Sequence, residues 1–350
     1  MVLLAAIVAA VAGVYYARVD EKFQSYPGVD QFVEIAPGTG SHAIGRALVQ
    51  AGVVRDEWTF RLAVFLTGTE RQLKAGEYRF AGAISAKDVA RKLARGDIFL
   101  RPITFPEGLT LKEMARVYES HGLGSAKDFL KAASDPTGIR ALDPAAKDLE
   151  GYLFPETYNV PRKMDAGQLV AQMMARFLAI FDEKMRMEAA ALSLSLREAV
   201  TLASIVEKES ARPEERPMVA AVYSNRLRIG MGLQCDPTVI YALERVGKYT
   251  GNLTKKDLQF ESPYNTYRHP GLPPGPIAAP GRSSLEAVLS PAPVDYLYFV
   301  SRNDGTHVFA TTLAEHNKNV KEWQVDYFKK GPGAKEQGPG TRDQGPGHKK

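Results

Sequence analysis

One cysteine, Cys235, stands in 350 residues, which excludes an intramolecular disulfide and any multi-cysteine metal site. The six histidines, His42, His121, His269, His307, His316 and His348, show neither an HExxH pattern nor close pairing, so no zinc site is expected. No glycine-rich phosphate loop precedes a helix, Cys235 carries no local nucleophile signature, and neither a metal nor a cofactor is expected. Charge of one sign is also scarce: 45 basic against 40 acidic side chains leave a formal +5. No arginine-rich stripe or nucleic-acid motif accompanies that excess, so nucleic acid is not an expected partner. The mild positive field suits an anionic polymer or a membrane surface equally well. Long apolar runs number one, MVLLAAIVAAVAGVYYA at residues 1–17, which excludes a polytopic membrane protein.

What is present is an ordinary globular composition, 45% hydrophobic and 24% charged, with length for about two domains. The apolar run is at the lower limit of a membrane-spanning helix, and Tyr15 and Tyr16 at its end fit an interfacial aromatic belt. The run reads as an uncleaved single-pass anchor. A cleaved signal peptide is the rival, against which stands the lack of a basic n-region. Orientation does not follow from charge, because no Lys or Arg precedes the run.

After the run comes a weak internal repeat. Residues 33–53, VEIAPGTGSHAIGRALVQAGV, line up without gaps with 103–123, ITFPEGLTLKEMARVYESHGL. Each reads as a short strand, a glycine turn at Gly38 or Gly108, an amphipathic helix, and a helix stop at Gly52 or Gly122. Duplication and coincidence both remain open. Between the copies, DEWTFRLAVFLTG reads as a helix, LKAGEYRF as a strand, and SAKDVARKLARGD as a helix capped by Ser85. A strand, helix, helix, strand module is therefore expected near 30–100. From 166 to 188, Leu169, Val170, Met173, Met174, Phe177, Leu178 and Phe181 recur at helical spacing and read as core. A helix at about 195–211 and another through RPEERPMVAAVYSNRLRIGM follow. Beyond Gly230, proline and glycine break up polar and aromatic residues, as in a rigid loop-built site. YLYFV and THVFATT read as a hairpin around Asn303, Asp304 and Gly305. The tail repeats GPGAKEQ, GPGTRDQ, GPGHKK, and 331–350 is expected to be disordered.

In the 195–211 helix, Glu207 falls four residues after Ala203 and seven after Val200, so it shares their apolar side, while Glu209 points the opposite way. A carboxyl buried there loses hydration and stays protonated near neutrality, ready to donate. The alternative is a Glu207 paired with a basic residue such as Arg226 or Arg228. Gln234, Asp236, Asn265, Tyr267 and His269 lie in the loops beyond, a mixture of donors and acceptors suited to sugar hydroxyls and N-acetyl groups; each taken alone also serves as an ordinary turn residue.

Several stretches together, LEGYLFPETY (149–158), LASIVEKES (202–210), NRLRIGMGLQCDPTVIYAL (225–243), SPYNTYRHPGLPPGPIAAPG (262–281), YLYFV and EHNKNV, resemble the MltG, or YceG-like, family of endolytic murein transglycosylases. They occur in the family's order and cover roughly 149–320. The resemblance implies an α+β chain: an N-terminal membrane helix at 1–17, a small LysM-like module at 30–100, and a mixed helix/strand lytic transglycosylase catalytic domain at 101–330. It places the catalytic glutamate at Glu207, the first Glu of SIVEKE. Glu156, Gln234, Asp236, Asn265 and Tyr267 would then line the glycan cleft. Cys235 stands where a small hydroxyl residue is expected. The implied partners are peptidoglycan glycan strands, the cytoplasmic membrane through the N-terminal helix, and peptidoglycan synthases. The implied location is the cell inner membrane, single-pass, with the catalytic domain in the periplasm.

The implied reaction needs one carboxyl group. Ordinary glycosidases need two, one to protonate the leaving oxygen and one to attack or activate water. In a lytic transglycosylase the 6-hydroxyl of N-acetylmuramic acid attacks its own C1 and leaves a 1,6-anhydro end, so one group acts first as acid and then as base. Two rivals stay open: a hydrolytic muramidase with Asp236 or Glu156 as second carboxylate, and a peptidoglycan-binding scaffold without catalysis.

Overall fold

The computed structural model describes residues 2–330; the tail expected to be disordered, 331–350, lies outside them. The chain divides into two compact units. The first is Met1–Thr104 with Ser120–Leu123 and Thr157–Asp165, and the second is Phe105–Glu119, Gly124–Glu156 and everything from Ala166 on.

The first unit begins with α1 (Val2–Arg18), 17 residues without a charge until Arg18. At 1.5 Å per residue it is about 25 Å long, short of a hydrocarbon core of about 30 Å. Among the described residues no single helix is long and apolar enough to cross a membrane. Then follow β1 (Lys22–Phe23), β2 (Asp30–Ile35), α2 (Ser41–Gln50), α3 (Glu57–Thr67), β3 (Gly76–Ala81), β4 (Ile84–Ser85), α4 (Ala86–Arg95) and β5 (Leu100–Thr104). The strand, helix, helix, strand order expected near 30–100 is present, with β2 antiparallel to β3 over six residue pairs. Alternation turns Val33 and Ile35 of β2 inward, where they meet Ile44 and Leu48 of α2, Phe60 and Val64 of α3, Tyr78 and Phe80 of β3, and Val89 and Leu93 of α4. Ser85 caps α4 by accepting from the Asp88 N–H at 3.2 Å. Both copies of the repeat take the form read from the sequence. Gly38 and Gly108 turn with φ of 77° in each case, and Gly52 and Gly122 stop α2 and α5 (Leu111–Ser120) at φ of 70° and 68°. Such values favour glycine because a Cβ is crowded there.

The chain continues through α6 (Ala126–Ala133) to β6 (Thr157–Pro161), which pairs antiparallel with β5 from Thr104↔Thr157 to Leu100↔Pro161. Arg101 of β5 and Arg162 reach the buried Glu77 of β3, and the hydrogen bond from Arg101 leads the effects holding that carboxyl below its usual range.

The second unit is mostly helical: α7 (Ala166–Ile180), α8 (Glu183–Ala191), α9 (Leu196–Glu209), α10 (Arg216–Arg228), α11 (Asp236–Arg245) and α12 (Arg282–Leu289), then the hairpin of β7 (Tyr298–Ser301) and β8 (His307–Ala310), α13 (Leu313–Val320) and α14 (Tyr327–Lys330). The apolar stripe at 166–188 is core, but the helix breaks at Phe181, because Asp182 caps a new one by accepting from the Met185 N–H. The hairpin turns at Asn303, φ 65°. The region beyond Gly230 is less irregular than its prolines suggest. Pro237 sits in the first turn of α11, where its missing N–H costs nothing.

α9 is the axis of this unit, packed by α8, α10, α11 and α12. Ser195 and Glu198 close a capping box at its start. Where the LEGYLF motif meets it, Gly151 has φ of 79°, and a Cβ there would lie 2.4 Å from Pro276 and 3.1 Å from Val200. Next to it the buried Glu150 accepts from the Leu111 N–H at 3.0 Å and the Tyr241 hydroxyl at 3.1 Å. Burial pushes its pKa from 4.5 up to about 8, with Asp148 adding to the rise and Arg245 opposing it. Between those two values the folded protein keeps a proton that the unfolded chain has lost, so this group's contribution to stability falls as pH rises through that window. Chemical denaturation at pH 5 and pH 8 is expected to show that loss in the wild type and a flatter profile in Glu150→Gln.

Candidate active site

Every residue from Ala199 to Val206 is buried, so this part of α9 has no solvent face, as in a helix at the centre of a unit. Glu207 and Glu209 leave its last turn about 200° apart around the axis. The expectation that only the first enters the protein is therefore corrected: both carboxyls do, in different surroundings.

Glu207 is clamped. Its Oε1 accepts from Arg216 Nη2 at 2.7 Å, and its Oε2 accepts from the Gly281 N–H at 2.9 Å and the Ser284 hydroxyl at 2.8 Å. The partner is Arg216, the first residue of α10; Arg226, expected as an alternative, donates instead to the carbonyls of Leu297 and Leu233. The side chains of Glu207 and Arg216 are 5% and 6% exposed. Arg216 also contacts the half-exposed Glu107 at 3.4 Å and the Ser283 hydroxyl. A Cβ on Gly281 would fall 1.9 Å from a Glu107 carboxylate oxygen, so a larger residue here would displace that side chain. Burial pushes the Glu207 pKa up, against the pull of the Gly281 N–H, Ser284 and Arg216. Each oxygen already accepts from at least one donor, and one of those donors is a cation. These donors favour the charged form of Glu207, and burial opposes them.

Glu209 has the opposite surroundings. Its Oε1 accepts from the Tyr223 hydroxyl at 3.0 Å and the Cys235 thiol at 3.1 Å, both neutral donors. Among the described residues its Oε2 has no protein donor and no cation forms an ion pair with it. Burial raises its pKa, Cys235 and Tyr223 oppose that, and the nearby Asp236 adds to it. Burial also lifts the Cys235 thiol well above its usual value, which keeps it a neutral donor.

The loop residues expected in the cleft gather at this second glutamate. Gln234, in the left-handed region at φ 51°, donates its N–H to the Thr266 carbonyl at 3.2 Å, and the Cys235 N–H reaches the Thr266 hydroxyl at 2.9 Å. That lacing sets Asp236 at the first turn of α11, where its carboxylate accepts from the Tyr267 hydroxyl at 2.6 Å. Gln234, Asp236 and Tyr267 keep exposed surface. Asn265 does not: its buried amide donates to the carbonyls of Leu258 and Phe260 and accepts from the Tyr267 N–H, so it holds the loop's shape from within. Glu156 is turned to α7, where Arg176 grips it through two hydrogen bonds of 2.7 and 2.8 Å. A signal for Glu209 lay in the sequence: it falls four residues after Ile205 and seven after Leu202, both buried.

Residues 33–322 match the YceG-like family. The chain belongs to that family. It is 34% identical over 306 residues to a protein of Bacillus subtilis named endolytic murein transglycosylase, an alignment covering 83% of this chain and 84% of the relative. A protein of the same name from Streptococcus pneumoniae is 31% identical over 323 residues, and there the match covers 58% of the relative's length. Among solved structures, a YceG-like protein from Listeria monocytogenes superposes with a TM-score of 0.57 at 35% identity, covering 83% of this chain and 98% of that one.

Proposed function

We propose that this YceG-like chain is a lytic transglycosylase of peptidoglycan in which Glu209, rather than Glu207, is the acid and base. The observation that carries the reading is the contrast between the two carboxyls: Glu207 has its oxygens filled by an arginine, an amide and a hydroxyl, whereas Glu209 has a free oxygen, neutral partners and the exposed Asp236–Tyr267 pair beside it. Raised by burial, the Glu209 carboxyl donates its proton to the glycosidic oxygen between N-acetylmuramic acid and N-acetylglucosamine as that bond breaks. The 6-hydroxyl of the muramic residue then attacks its own C1, and the Glu209 carboxylate takes the hydroxyl proton, which restores the acid. Tethering of the nucleophile lowers the entropic barrier. The Tyr223 and Cys235 hydrogen bonds orient the carboxyl through both steps.

The remaining expectations complete the proposal. The 30–100 module acts as a LysM-like glycan-binding element ahead of the catalytic domain at 101–330. α1 serves as the membrane anchor that keeps the enzyme on nascent strands close to peptidoglycan synthases, and cleavage inside a strand ends its elongation. Digestion of purified peptidoglycan followed by mass spectrometry tests the reaction. Products are expected to carry 1,6-anhydro ends; products heavier by one water would identify a hydrolytic muramidase instead. Binding to sacculi with no release of fragments would leave only a scaffold.

A further inference from the structure

α1 is joined to the first unit without a linker. It ends at Arg18, and the next residue, Val19, is buried in the core of that unit. Lys87 of α4 fixes the junction: its backbone N–H donates to the Val19 carbonyl at 3.2 Å, and its ammonium pairs with Asp20 at 2.6 Å and lies 5.6 Å from the Tyr16 ring. α3 packs on α1. A bilayer that takes up α1 therefore meets the α3 side of this unit at its surface. Because α1 is about 25 Å long against a hydrocarbon core of about 30 Å, the junction is drawn into the headgroup layer rather than held off it.

α3 carries an apolar stripe that the unit leaves uncovered. Phe60, Ala63 and Val64 face the core, whereas Trp58, the half-buried Leu62 and Phe65 follow one another at helical spacing on another side, with Leu66 next to them. Trp58 is 64% exposed, Phe65 67% and Leu66 42%. The Arg61 guanidinium lies over the Trp58 ring at 4.8 Å. Among the described residues Arg61 has no ion pair, and neither have Arg18 and Lys22 at the junction, while the nearby Glu21 is taken by Arg55 at 2.9 Å. Glu70, three residues past the end of α3, sets one carboxylate against these cations. Two features select a lipid surface over a protein. The stripe occupies one helix of 11 residues, about 16 Å long, which falls well short of the about 800 Å² per side that a stable protein interface covers. Its composition, an indole and a phenyl ring among unpaired cations, suits the headgroup layer, where aromatic rings settle and cations meet phosphates.

We propose that α3 is a membrane-contact helix, with Trp58 and Phe65 seated in the headgroup layer of the bilayer that holds α1 and Arg61 on the phosphate of an anionic lipid. The proposal rests on the reading of α1 as the anchor and is independent of which glutamate is catalytic. The tryptophans of the chain are Trp58 and Trp323, so Trp323→Phe leaves Trp58 as the sole indole. The full-length variant is reconstituted into liposomes of phosphatidylcholine and phosphatidylglycerol, the former brominated near the headgroup end of its acyl chains, and flotation on a density gradient reports whether the chain is held. Trp58 emission is expected to shift to the blue, to lose most of its intensity to the brominated lipid, and to resist quenching by iodide in the water. Adding Phe65→Glu, a change at an exposed position that the core does not feel, is expected to remove most of the bromine quenching while the chain still floats through α1. Arg61→Glu is expected to weaken the quenching in the anionic liposomes and to leave it unchanged in pure phosphatidylcholine. A chain that floats with Trp58 open to iodide and untouched by bromine overturns the contact helix alone, as does quenching that Phe65→Glu leaves intact. A chain that does not float overturns the anchor reading and this proposal with it.

Discussion

Glu209→Gln is expected to lose at least 10²- to 10⁴-fold in kcat, the range general acid catalysis supplies, with its melting temperature close to wild type. Glutamine keeps the shape of the side chain and can still accept from Tyr223 and Cys235, so the packing around α9 survives while the transferable proton is gone. Glu207→Gln should behave differently. It leaves Arg216 facing an amide in a site where both side chains are nearly sealed, and its main effect is a fall in stability with anhydro products still formed by the folded fraction. Assay of fragment release, normalised to folded protein by circular dichroism, separates the two. A silent, fully folded Glu207→Gln beside an active Glu209→Gln would return the catalytic role to the first glutamate.

Arg216→Met is expected to cost about 3–5 kcal/mol, the usual result of removing one partner from a buried ion pair. Little else could replace the guanidinium, because the Gly281 amide and Ser284 hydroxyl bond only one of the two Glu207 oxygens. The cost also depends on pH. Without the cation the Glu207 pKa rises further above that of the unfolded chain, so the variant is penalised most at neutral and alkaline pH. It recovers as pH falls towards the ordinary carboxylate range, where a protonated Glu207 needs no counter-charge. Pairing Arg216→Met with Glu207→Gln should restore part of the loss, and urea denaturation of the four proteins at pH 5 and pH 8 measures it.

Much of the fold could be read locally. Ser85 before α4, the Ser195–Glu198 pair before α9 and the glycines at 38, 52, 108 and 122 act within a turn of their own position, so the residues that set each boundary are next to it. The loop residues Gln234, Asp236 and Tyr267 are separated in sequence, and lacing through Thr266 brings them together. The choice between Glu207 and Glu209 was not local. Helical periodicity assigns one apolar face, but α9 is surrounded, and which carboxyl meets a cation depends on Arg216, nine residues on, and on Gly281 and Ser284, more than seventy residues on. Asn265 was misread for a related reason: a polar loop residue can face a ligand or its own backbone, and only the carbonyls of Leu258 and Phe260 decide which. The prolines after Gly230 hid α11, because Pro237 marks a helix start as readily as a turn.

The pairing of β5 with β6 across more than fifty intervening residues has a consequence for biosynthesis. The polypeptide passes from one unit to the other five times before settling into the second at Ala166. The N-terminal unit therefore cannot finish while the ribosome has delivered only its own first hundred residues; Leu100–Thr104 must wait, unpaired, until Thr157–Pro161 emerge. Neither unit can be released by a single proteolytic nick, and closing so long a loop makes this pairing a late event in folding.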